Sequence, residues 1–531
     1  MTRLRIALVA IAAFCAVGLC AGGARDAGAV TFRWAADTDP GSMDPHSRNV
    51  AATLSFLSNI YEGLVRRDRE LKLEPALALS WSTTAPDTWR FVLRRNVRFH
   101  DGSPFTADDV VFSYERARGP GSLMATSFAT VRELRKVDDF TVDIVTNGPD
   151  PILPDELSSW LIMSRRWAEQ NNATRATDLT RNEQSFASIN ANGTGPFRLR
   201  SRTPDGRTEL VNFPEWWDTA THNLTEVIFT PLANPATRTA ALLSGEIDMV
   251  YTLPINAIAQ VQARPGLRVI QGPELRVMFF GMDVARDQLT NSDVQGRNPF
   301  KDLRVRQAVQ MAIDEGQIRQ GVMRGLAVLN YEMVVPGING FDPSLNTPPS
   351  HDVARARALM TEAGYPNGFE VGMDCPNDRW VNDEAICTAA VSMLARIGIR
   401  ARLRTQPFSQ FIRLLSPPYE TSLFYVGWGT TTYDAHNNLL SLLSTRGPGG
   451  RGLFNVGGYS NARIDTLTGQ IQTELDGERR NALIREALQV ARDDVAYIPI
   501  FQQMIVWAAR DNIDMVQQAD NYFPLRHVRV R

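Results

Sequence analysis

The chain has 531 residues, of which 44% are hydrophobic and 21% are charged. It is too long for one compact core and too apolar to be disordered, so we expect roughly two to four folded domains. A formal net charge of −2 excludes a broad cationic surface for nucleic acid or anionic lipid.

The N-terminus has the pattern of a secretory signal peptide. Arg3 and Arg5 precede an apolar run over residues 6–19, and small residues follow up to Ala27-Gly28-Ala29. A positively charged start, an apolar centre and an A-x-A site are typical of a cleaved signal. The sequence therefore predicts that residues 1–29 are removed and that the mature protein is soluble and exported.

Two alternatives to a simple cleaved signal stay open at this point. An uncleaved membrane anchor is one, because a run of about 18 apolar residues can span a bilayer. Lipoprotein processing at Cys20 is the other, although Leu19 stands where a small residue is expected. No second apolar stretch of membrane length follows in the sequence.

Downstream of the signal, strand and helix patterns alternate. The predicted strands are 210–213, 226–231 and 247–250, and the predicted helices are 238–244, 305–313 and 354–363. Apolar residues recur at helical spacing in the helices, and Gly245 and Gly364 follow two of them as expected for helix C-termini. The chain therefore belongs to the α/β class.

Residues 369–428 form a βαβαβ-like run. The predicted strands are 369–373, 399–405 and 421–426, and the predicted helices are 382–397 and 408–415. Ligands of open α/β sheets gather at the carboxyl ends of the strands. Residues 427–437, just beyond the last predicted strand, combine glycines, hydroxyls, aromatic rings and one acid. We expect a pocket there, although Trp428 is also compatible with a core position.

Cys375 and Cys387 are the only cysteines outside the predicted signal. Two cysteines twelve positions apart in an exported protein favour a disulfide over a metal pair. The bridge would join the loop after strand 369–373 to the following helix. Two free thiols are the alternative.

No catalytic constellation emerges from the sequence. Residues 447–452 match G-x-G-x-x-G, but no predicted strand precedes them and no helix follows, so we interpret them as a loop. The G-x-S-x-G elbow, the P-loop lysine motif and H-E-x-x-H do not occur. The six histidines have no i, i+4 partners. We therefore predict no catalytic residues, no metal site and no cofactor.

Four stretches carry a resemblance to a known family. They are residues 78–110, 193–197, 244–248 and 302–314, and the densest includes Phe99-His100-Asp101-Gly102-Ser103-Pro104-Phe105-Thr106-Ala107-Asp108-Asp109-Val110. Together they resemble the family 5 bacterial extracellular solute-binding proteins, the peptide- and nickel-type periplasmic receptors of ABC importers. Each stretch also has a local role, such as Thr106 as a predicted helix N-cap.

The resemblance implies an α/β fold of two lobes linked by a hinge, with an extra domain inserted in the first lobe. Carried onto this chain, the first lobe is 30–75, 195–289 and 507–531, the extra domain is 76–194, and the second lobe is 290–506. Members trap a ligand between the lobes and present the closed form to a membrane permease. The densest motif falls in the extra domain, so it marks the fold and contacts no ligand.

The resemblance implies ligand contacts only locally. In peptide-binding members, Tyr/Phe-Glu-Gly-Leu/Val near the mature N-terminus lines the pocket, which corresponds to Tyr61, Glu62 and Leu64. A Gly-Trp pair that follows a second-lobe strand also lines it, which corresponds to Trp428.

Four further ligand contacts follow from the resemblance. Three residues after that Trp, peptide binders place an aspartate that pairs with the ligand's α-ammonium, and this chain has Thr431 there. Asp434 is a candidate to compensate for the missing carboxylate. Phe408 and Arg413 fall roughly where receptors keep an aromatic and a basic contact.

The function that the resemblance implies is a periplasmic substrate-binding subunit of an ABC importer. It would act as a monomer that captures peptides and delivers them to the permease. Thr431 keeps open a non-peptide ligand such as an opine, a sugar or another modified amino compound. A nickel chelate is disfavoured because few histidines converge. An exported hydrolase and a chemosensory or chaperone-like binder are the remaining alternatives.

Overall fold

The computed structural model of the chain describes residues 29–448 and 450–531. The signal peptide predicted for residues 1–29, with Cys20, therefore lies outside the described residues apart from Ala29. Within the described ranges, every helix is too short or too polar to cross a membrane.

The strands of the described residues are numbered in chain order. They are β1 Thr31–Ala36, β2 Val65–Arg67, β3 Leu73–Pro75, β4 Ala78–Ala85, β5 Thr88–Leu93, β6 Val131–Asp138, β7 Thr141–Thr146, β8 Phe197–Arg202, β9 Thr208–Asn212, β10 Glu226–Pro231, β11 Met249–Val250, β12 Leu267–Met282, β13 Ala327–Leu329, β14 Phe369–Pro376, β15 Ile399–Gln406, β16 Leu423–Gly429, β17 Ile498–Arg510, β18 Ile513–Asp514 and β19 Arg529–Val530.

The α-helices are numbered in the same way. They are α1 Ala51–Leu57, α2 Ala107–Arg118, α3 Leu153–Glu156, α4 Arg165–Gln170, α5 Phe186–Ile189, α6 Pro235–Ser244, α7 Ile258–Gln262, α8 Leu303–Ala312, α9 Glu315–Gln317, α10 Val353–Glu362, α11 Asp383–Ala395, α12 Phe408–Leu414, α13 His436–Asn438, α14 Ala462–Thr473 and α15 Gly477–Asp493.

Local sequence signals explain where the helices begin and end. Thr106 caps α2 through its hydroxyl, and the Asp109 carboxylate accepts the Thr106 backbone N–H in return, which completes a capping box. Asn234 caps α6, and Gly245 ends it with φ of 83°, a left-handed conformation that glycine adopts without steric cost. The predicted N-cap at Thr106 is confirmed.

An eleven-stranded sheet runs through most of the molecule. Its order is β15-β14-β16-β12-β17-β11-β1-β10-β9-β8, with β13 paired to β17. A separate four-stranded antiparallel sheet, β4-β5-β7-β6, carries α2 and the densest motif of the sequence. The predicted βαβαβ run is confirmed, because β14 pairs in parallel with both β15 and β16.

Two long strands, β12 and β17, connect the two parts of the large sheet. They pair antiparallel over Leu267–Pro273, and the register then shifts before pairing resumes at Val277. The first section lies beside β11, while the second section lies beside β16. The chain therefore crosses between the two parts of the sheet twice, next to this break in register.

Apolar side chains alternate between the two faces of the strands, so a hydrophobic core forms on each face of the sheet. Met278 and Phe280 of β12 belong to one apolar cluster, whereas Val277 and Phe279 belong to another. Since successive strand residues point to opposite faces, these clusters cover the two faces of the second part. The first part has its own cores, and the four-stranded sheet has a third set of core residues drawn from 64–162.

Two predicted strands are longer than expected. β14 continues past residue 373 to Pro376, because its last residues still pair with β15. Cys375 is therefore in the strand and not in the following loop, and its disulfide to Cys387 in α11 is present. β16 continues to Gly429, because Trp428 still pairs with Val277. The expectation that Gly427 and Trp428 follow the strand is wrong.

Candidate functional site

A deep cleft separates the two parts of the large sheet. Its volume is about 2260 Å³, above the roughly 300–1,000 Å³ of ordinary small-molecule pockets. We call its two sides the first wall, chiefly from residues 37–67, 123–159 and 518–526, and the second wall, chiefly from 274–279, 378–381 and 408–456. The cleft can hold a ligand larger than a single amino acid.

The cleft lies at the carboxyl ends of the parallel strands. Asp37 follows β1, Thr252 follows β11, Arg379 comes shortly after β14, Phe408 follows β15 and Thr430 follows β16, and all five line the cleft. The sequence placed the pocket by this rule for the second part of the sheet. The structure extends the rule to β1 and β11 of the first part.

An aromatic and cationic group forms one end of the second wall. Trp380 and Phe408 meet edge to face with ring centroids 5.8 Å apart. The Arg379 guanidinium carbon lies 5.3 Å from the Phe408 ring centroid and 5.8 Å from that of Trp380, within range of a cation–π contact. This group offers flat apolar faces and one positive charge to the cleft.

Trp428 forms another part of the second wall. Its side chain is half-buried, its Nε1 donates to Asn437 Oδ1 at 3.0 Å, and its ring centroid lies 5.0 Å from that of Phe454. The indole is thus held by two neighbours, and Trp428 also lines the cleft. Thr431 is exposed on the same wall.

Asp434 is not on the cleft surface. It is buried, and its carboxylate accepts two hydrogen bonds from Arg480, at 2.6 and 2.8 Å. Asn339 Nδ2 and the backbone N–H of His436 donate to the same carboxylate. Burial raises the pKa of Asp434, but the bonds and charge of Arg480 outweigh burial and keep the pKa below its usual value. Asp434 is therefore engaged by groups of its own chain behind the second wall.

Glu62 is engaged in a similar way inside the first wall. It is buried, and its carboxylate accepts from Trp217 Nε1 at 2.6 Å, Thr194 Oγ1 at 2.9 Å and Trp216 Nε1 at 3.2 Å. Burial raises the pKa of Glu62 despite these donors and the charge of Arg66. The Glu62 carboxylate borders the cleft, and its donors come from its own chain.

The other predicted residues divide between the cleft and other places. Tyr61 is fully buried and borders the cleft, whereas Leu64 lies in the core of the four-stranded sheet and outside the cleft lining. Phe408 lines the cleft, but Arg413 is exposed on α12 outside it. The cation that does reach this end of the cleft is Arg379, in the loop between β14 and α11.

Two charged groups of the lining, Asp37 and Arg379, were missed by the sequence reasoning. The signal that could have found them was their place just after the strands β1 and β14, since the same rule located residues 427–437. The described residues contain no cluster of three or more His, Cys, Asp or Glu side chains that could hold a metal ion.

Known proteins resemble the chain over most of its length. The sequence profile of the family described as "Bacterial extracellular solute-binding proteins, family 5 Middle" matches residues 72–450. The glutathione-binding protein GsiB of Escherichia coli (strain K12) is 23% identical over 479 residues, which is 89% of each chain.

Solved structures share the fold. The periplasmic binding protein DppA from Helicobacter pylori, in complex with the peptide STSA, has a TM-score of 0.77 and 23% identity over 94% of this chain and 98% of that one. The binding protein AgaA from A. tumefaciens R10, in complex with agropinic acid, has a TM-score of 0.76 and 20% identity over 94% and 99%. The predicted two-lobed α/β fold is confirmed.

Proposed function

Because the chain belongs to family 5 of the bacterial extracellular solute-binding proteins, we propose that it is the substrate-binding subunit of an ABC importer that captures short peptides. The ligand binds in the cleft between the two walls. The closed complex then delivers the ligand to the membrane permease. The receptor acts as a monomer and releases the ligand chemically unchanged.

The observation that carries this proposal is the shape and lining of the cleft. It has room for several residues, and its second wall presents the rings of Trp380, Phe408 and Trp428 beside the cation of Arg379. Aromatic faces bind side chains of varied shape through apolar contact, while fixed polar groups orient the ligand. Such a lining suits a class of related peptides better than one small metabolite.

The relatives support the same ligand class. GsiB is named for glutathione, a tripeptide, and the DppA structure contains a tetrapeptide. AgaA contains agropinic acid, which is not a peptide. A non-peptide amino compound is therefore the second candidate ligand, and Thr431, which replaces the aspartate of peptide binders, is the observation that favours it.

Mass spectrometry of small molecules released from denatured, natively purified protein tests the ligand class. Peptides in the released fraction, followed by saturable calorimetric binding of the same synthetic peptides, are the expected result. An opine or a sugar as the only bound compound would replace the peptide assignment. Hydrolysis of the bound peptide by the purified protein would instead identify the exported hydrolase.

Export through a cleaved signal belongs to the same proposal. The mature protein is expected in the periplasm, with Val30 as its first residue. Intact-mass measurement of protein from a periplasmic extract tests this cleavage site. A lipid-modified Cys20 at the N-terminus, or a chain that keeps residues 1–29, would contradict it.

The hinge of the proposed receptor lies where β12 and β17 cross between the walls. The register break between Pro273 and Val277 interrupts the pairing of β12 with β17, and a break of this kind is a place where the backbone can change its dihedral angles. The proposed lobes keep the predicted bounds, with 76–194 as the extra domain. Small-angle scattering should give a smaller radius of gyration with a bound peptide than without one, and an unchanged profile with a proven ligand would contradict closure.

A further inference from the structure

The two walls of the cleft touch each other at Tyr433. This residue lies in the loop after β16, in the second wall, and its hydroxyl donates a hydrogen bond of 2.7 Å to Asp520 Oδ2 in the first wall. The guanidinium carbon of Arg67, also in the first wall, lies 3.8 Å from the centroid of the Tyr433 ring, within range of a cation–π contact. One side chain of the second wall is therefore held by two groups of the first.

Arg67 is held in position by its own wall. Its guanidinium donates to Asp155 Oδ1 at 2.7 Å and to the backbone carbonyl of Leu71 at 3.0 Å, and its side chain is only 10% exposed. A planar guanidinium that is already oriented loses little freedom when an aromatic ring stacks on it. The first wall therefore presents a fixed cationic surface to the Tyr433 ring.

Asp520 is held in a similar way. Its Oδ1 accepts the backbone N–H of Tyr522 at 2.9 Å, which orients the carboxylate and leaves Oδ2 to the Tyr433 hydroxyl. The same segment is joined to the β2–β3 hairpin, because Gln518 Nε2 donates to the backbone carbonyl of Asp68 at 2.6 Å. Arg67 and Asp520 thus belong to one connected part of the first wall, which we call the socket.

The backbone of Tyr433 has a conformation that is uncommon for its residue type. Its φ is 58°, in the left-handed region where a Cβ atom crowds the backbone. A residue stays in this region where its surroundings hold it there, and the backbone N–H of Asn339 donates to the Tyr433 carbonyl at 2.9 Å. The second wall therefore fixes the loop in a strained form that directs the Tyr433 side chain to the socket.

The socket lies beside the strands that cross between the walls. Leu275, inside the register break of β12, donates its backbone N–H to the Ala519 carbonyl at 2.7 Å, and its own carbonyl accepts the N–H of Thr430 at 3.4 Å. Displacements this close to the crossing strands are small, but a hydrogen bond is lost beyond about 3.5 Å. A rotation that opens the cleft therefore breaks the contact of Tyr433 with Asp520 at an early stage.

We propose that Tyr433 and its socket form a latch that stabilises the closed cleft independently of the ligand. Because the latch joins groups of the chain itself, it shifts the equilibrium between open and closed forms in the free protein. It then raises the affinity of every ligand that binds the closed form by the same factor. The inference concerns closure and not the chemistry of the ligand, and it rests on the proposed function only for the role of closure in capture.

The distance between the walls in the ligand-free protein tests the latch. Ala129→Cys and Arg451→Cys place one nitroxide label on each wall, since both residues are exposed on the cleft lining, and the proposed mature chain has no cysteines other than those of the disulfide. Pulsed electron–electron double resonance measures the distance distribution. Tyr433→Phe removes only the hydroxyl and should raise the ratio of open to closed molecules by about three- to tenfold.

Two further variants show whether the effect comes from the contact with the socket. Asp520→Ala should open the cleft as Tyr433→Phe does, and the double variant should open it no further, because both substitutions remove the same hydrogen bond. Tyr331→Phe is the matched control, because Tyr331 is half-buried and lies outside the cleft lining. An unchanged distance distribution in Tyr433→Phe, or additive effects in the double variant, would overturn the latch.

Binding measurements distinguish a latch from a direct ligand contact. The probes are synthetic dipeptides and tripeptides that include Met-Leu and glutathione, titrated calorimetrically into the unlabelled parent protein and into Tyr433→Phe. The variant should bind all of them more weakly by one common factor, so that the order of affinities stays the same. A changed order would identify Tyr433 as a ligand contact and overturn the latch. If the parent protein binds none of these peptides, the proposed function fails, while the distance measurement still decides the latch.

Discussion

Each cleft wall has a buried acid that the family resemblance indicated as a ligand contact. The two acids differ in the groups that donate hydrogen bonds to them. Glu62 in the first wall is held by two indole N–H groups and one hydroxyl, all neutral. Asp434 behind the second wall is held by the fork of Arg480. Burial prevails at Glu62, whose pKa is raised, while the guanidinium prevails at Asp434, whose pKa is lowered.

In both cases the carboxylate, although it lies next to the cleft, stabilises the fold through hydrogen bonds within the chain. Glu62 ties the segment after α1 to the loop that contains Trp216 and Trp217. Asp434 ties the loop after β16 to α15, on which Arg480 lies. Both acids position the backbone that shapes the cleft.

The largest effect is expected at the ion pair. Asp434→Ala leaves the buried Arg480 guanidinium without a counter-charge, which should lower the free energy of unfolding by about 3–5 kcal/mol. Denaturant unfolding followed by tryptophan fluorescence measures it. The matched control is Glu486→Ala, which breaks the exposed pair with Arg463 and should cost about 1 kcal/mol or less. Equal effects of the two substitutions would contradict a buried structural pair.

A third buried acid, Glu332, shows how burial changes the pKa of a carboxyl group that lacks a close hydrogen-bond donor. Both carboxylate oxygens are buried without a close hydrogen bond among the described residues. Burial raises the pKa to about 8, although the backbone of Asp342 and the charge of Arg492 oppose the increase. The folded state therefore keeps a proton that the unfolded state releases near pH 4.5. The contribution of this group to the free energy of unfolding is fully present below that pH and is lost as the pH rises through about 8.

Replacing this acid should remove the pH dependence. Glu332→Gln should unfold at a higher temperature than the parent at pH 9 and at nearly the same temperature at pH 5. A shift of a few pKa units corresponds to a few kcal/mol. Calorimetry at both pH values checks this, with the exposed Glu246→Gln as the control. A parent protein whose melting temperature does not fall between pH 5 and 9 would argue against a protonated Glu332.

The regular elements were largely predictable because their signals are local. β10 has the predicted bounds, and α6 ends at Gly245 as predicted. The extent of β16 was not predictable, because it depends on pairing with β12, about 150 residues earlier in the chain. The local pattern after Val426, with two glycines and a run of threonines, favours a loop.

The cleft lining was predictable in part, and most clearly for its aromatic residues. Phe408 and Trp428 were identified, and both line the cleft. Which acids remain unengaged could not be predicted, because the partner of Asp434 lies 46 residues away and a partner of Glu62 lies 155 residues away. Whether a carboxylate is free to bind a ligand depends on its neighbours in the packed structure, and residue spacing in the sequence does not predict those neighbours.

Trp428 tests the second wall as a ligand surface. Because Trp428 is half-buried and lines the cleft, Trp428→Ala should weaken peptide binding by about 2 kcal/mol or more and change the melting temperature of the ligand-free protein much less. Calorimetric titration and thermal unfolding measure the two quantities. A substitution that costs about 3–5 kcal/mol of folding stability would instead identify Trp428 as a core residue.

Glu62 tests the first wall as a structural anchor. Glu62→Gln keeps the shape but turns one acceptor oxygen into an amide N–H donor that faces an indole N–H or the Thr194 hydroxyl. One buried donor then loses its acceptor, which should lower stability by about 1–2 kcal/mol. The exposed neighbour Glu215→Gln is the control. If binding collapses while the unfolding midpoint stays constant, Glu62 contacts the ligand directly.

The smallest effect is expected at Thr431, where the chain departs from the peptide binders. Thr431 is exposed on the cleft surface, so a new carboxylate there remains hydrated, and an exposed ion pair contributes about 1 kcal/mol or less. Thr431→Asp should therefore change the affinity for an unblocked dipeptide by less than about tenfold. A gain of a hundredfold would place the ammonium beside residue 431, and loss of the native ligand would show that no amine binds near it.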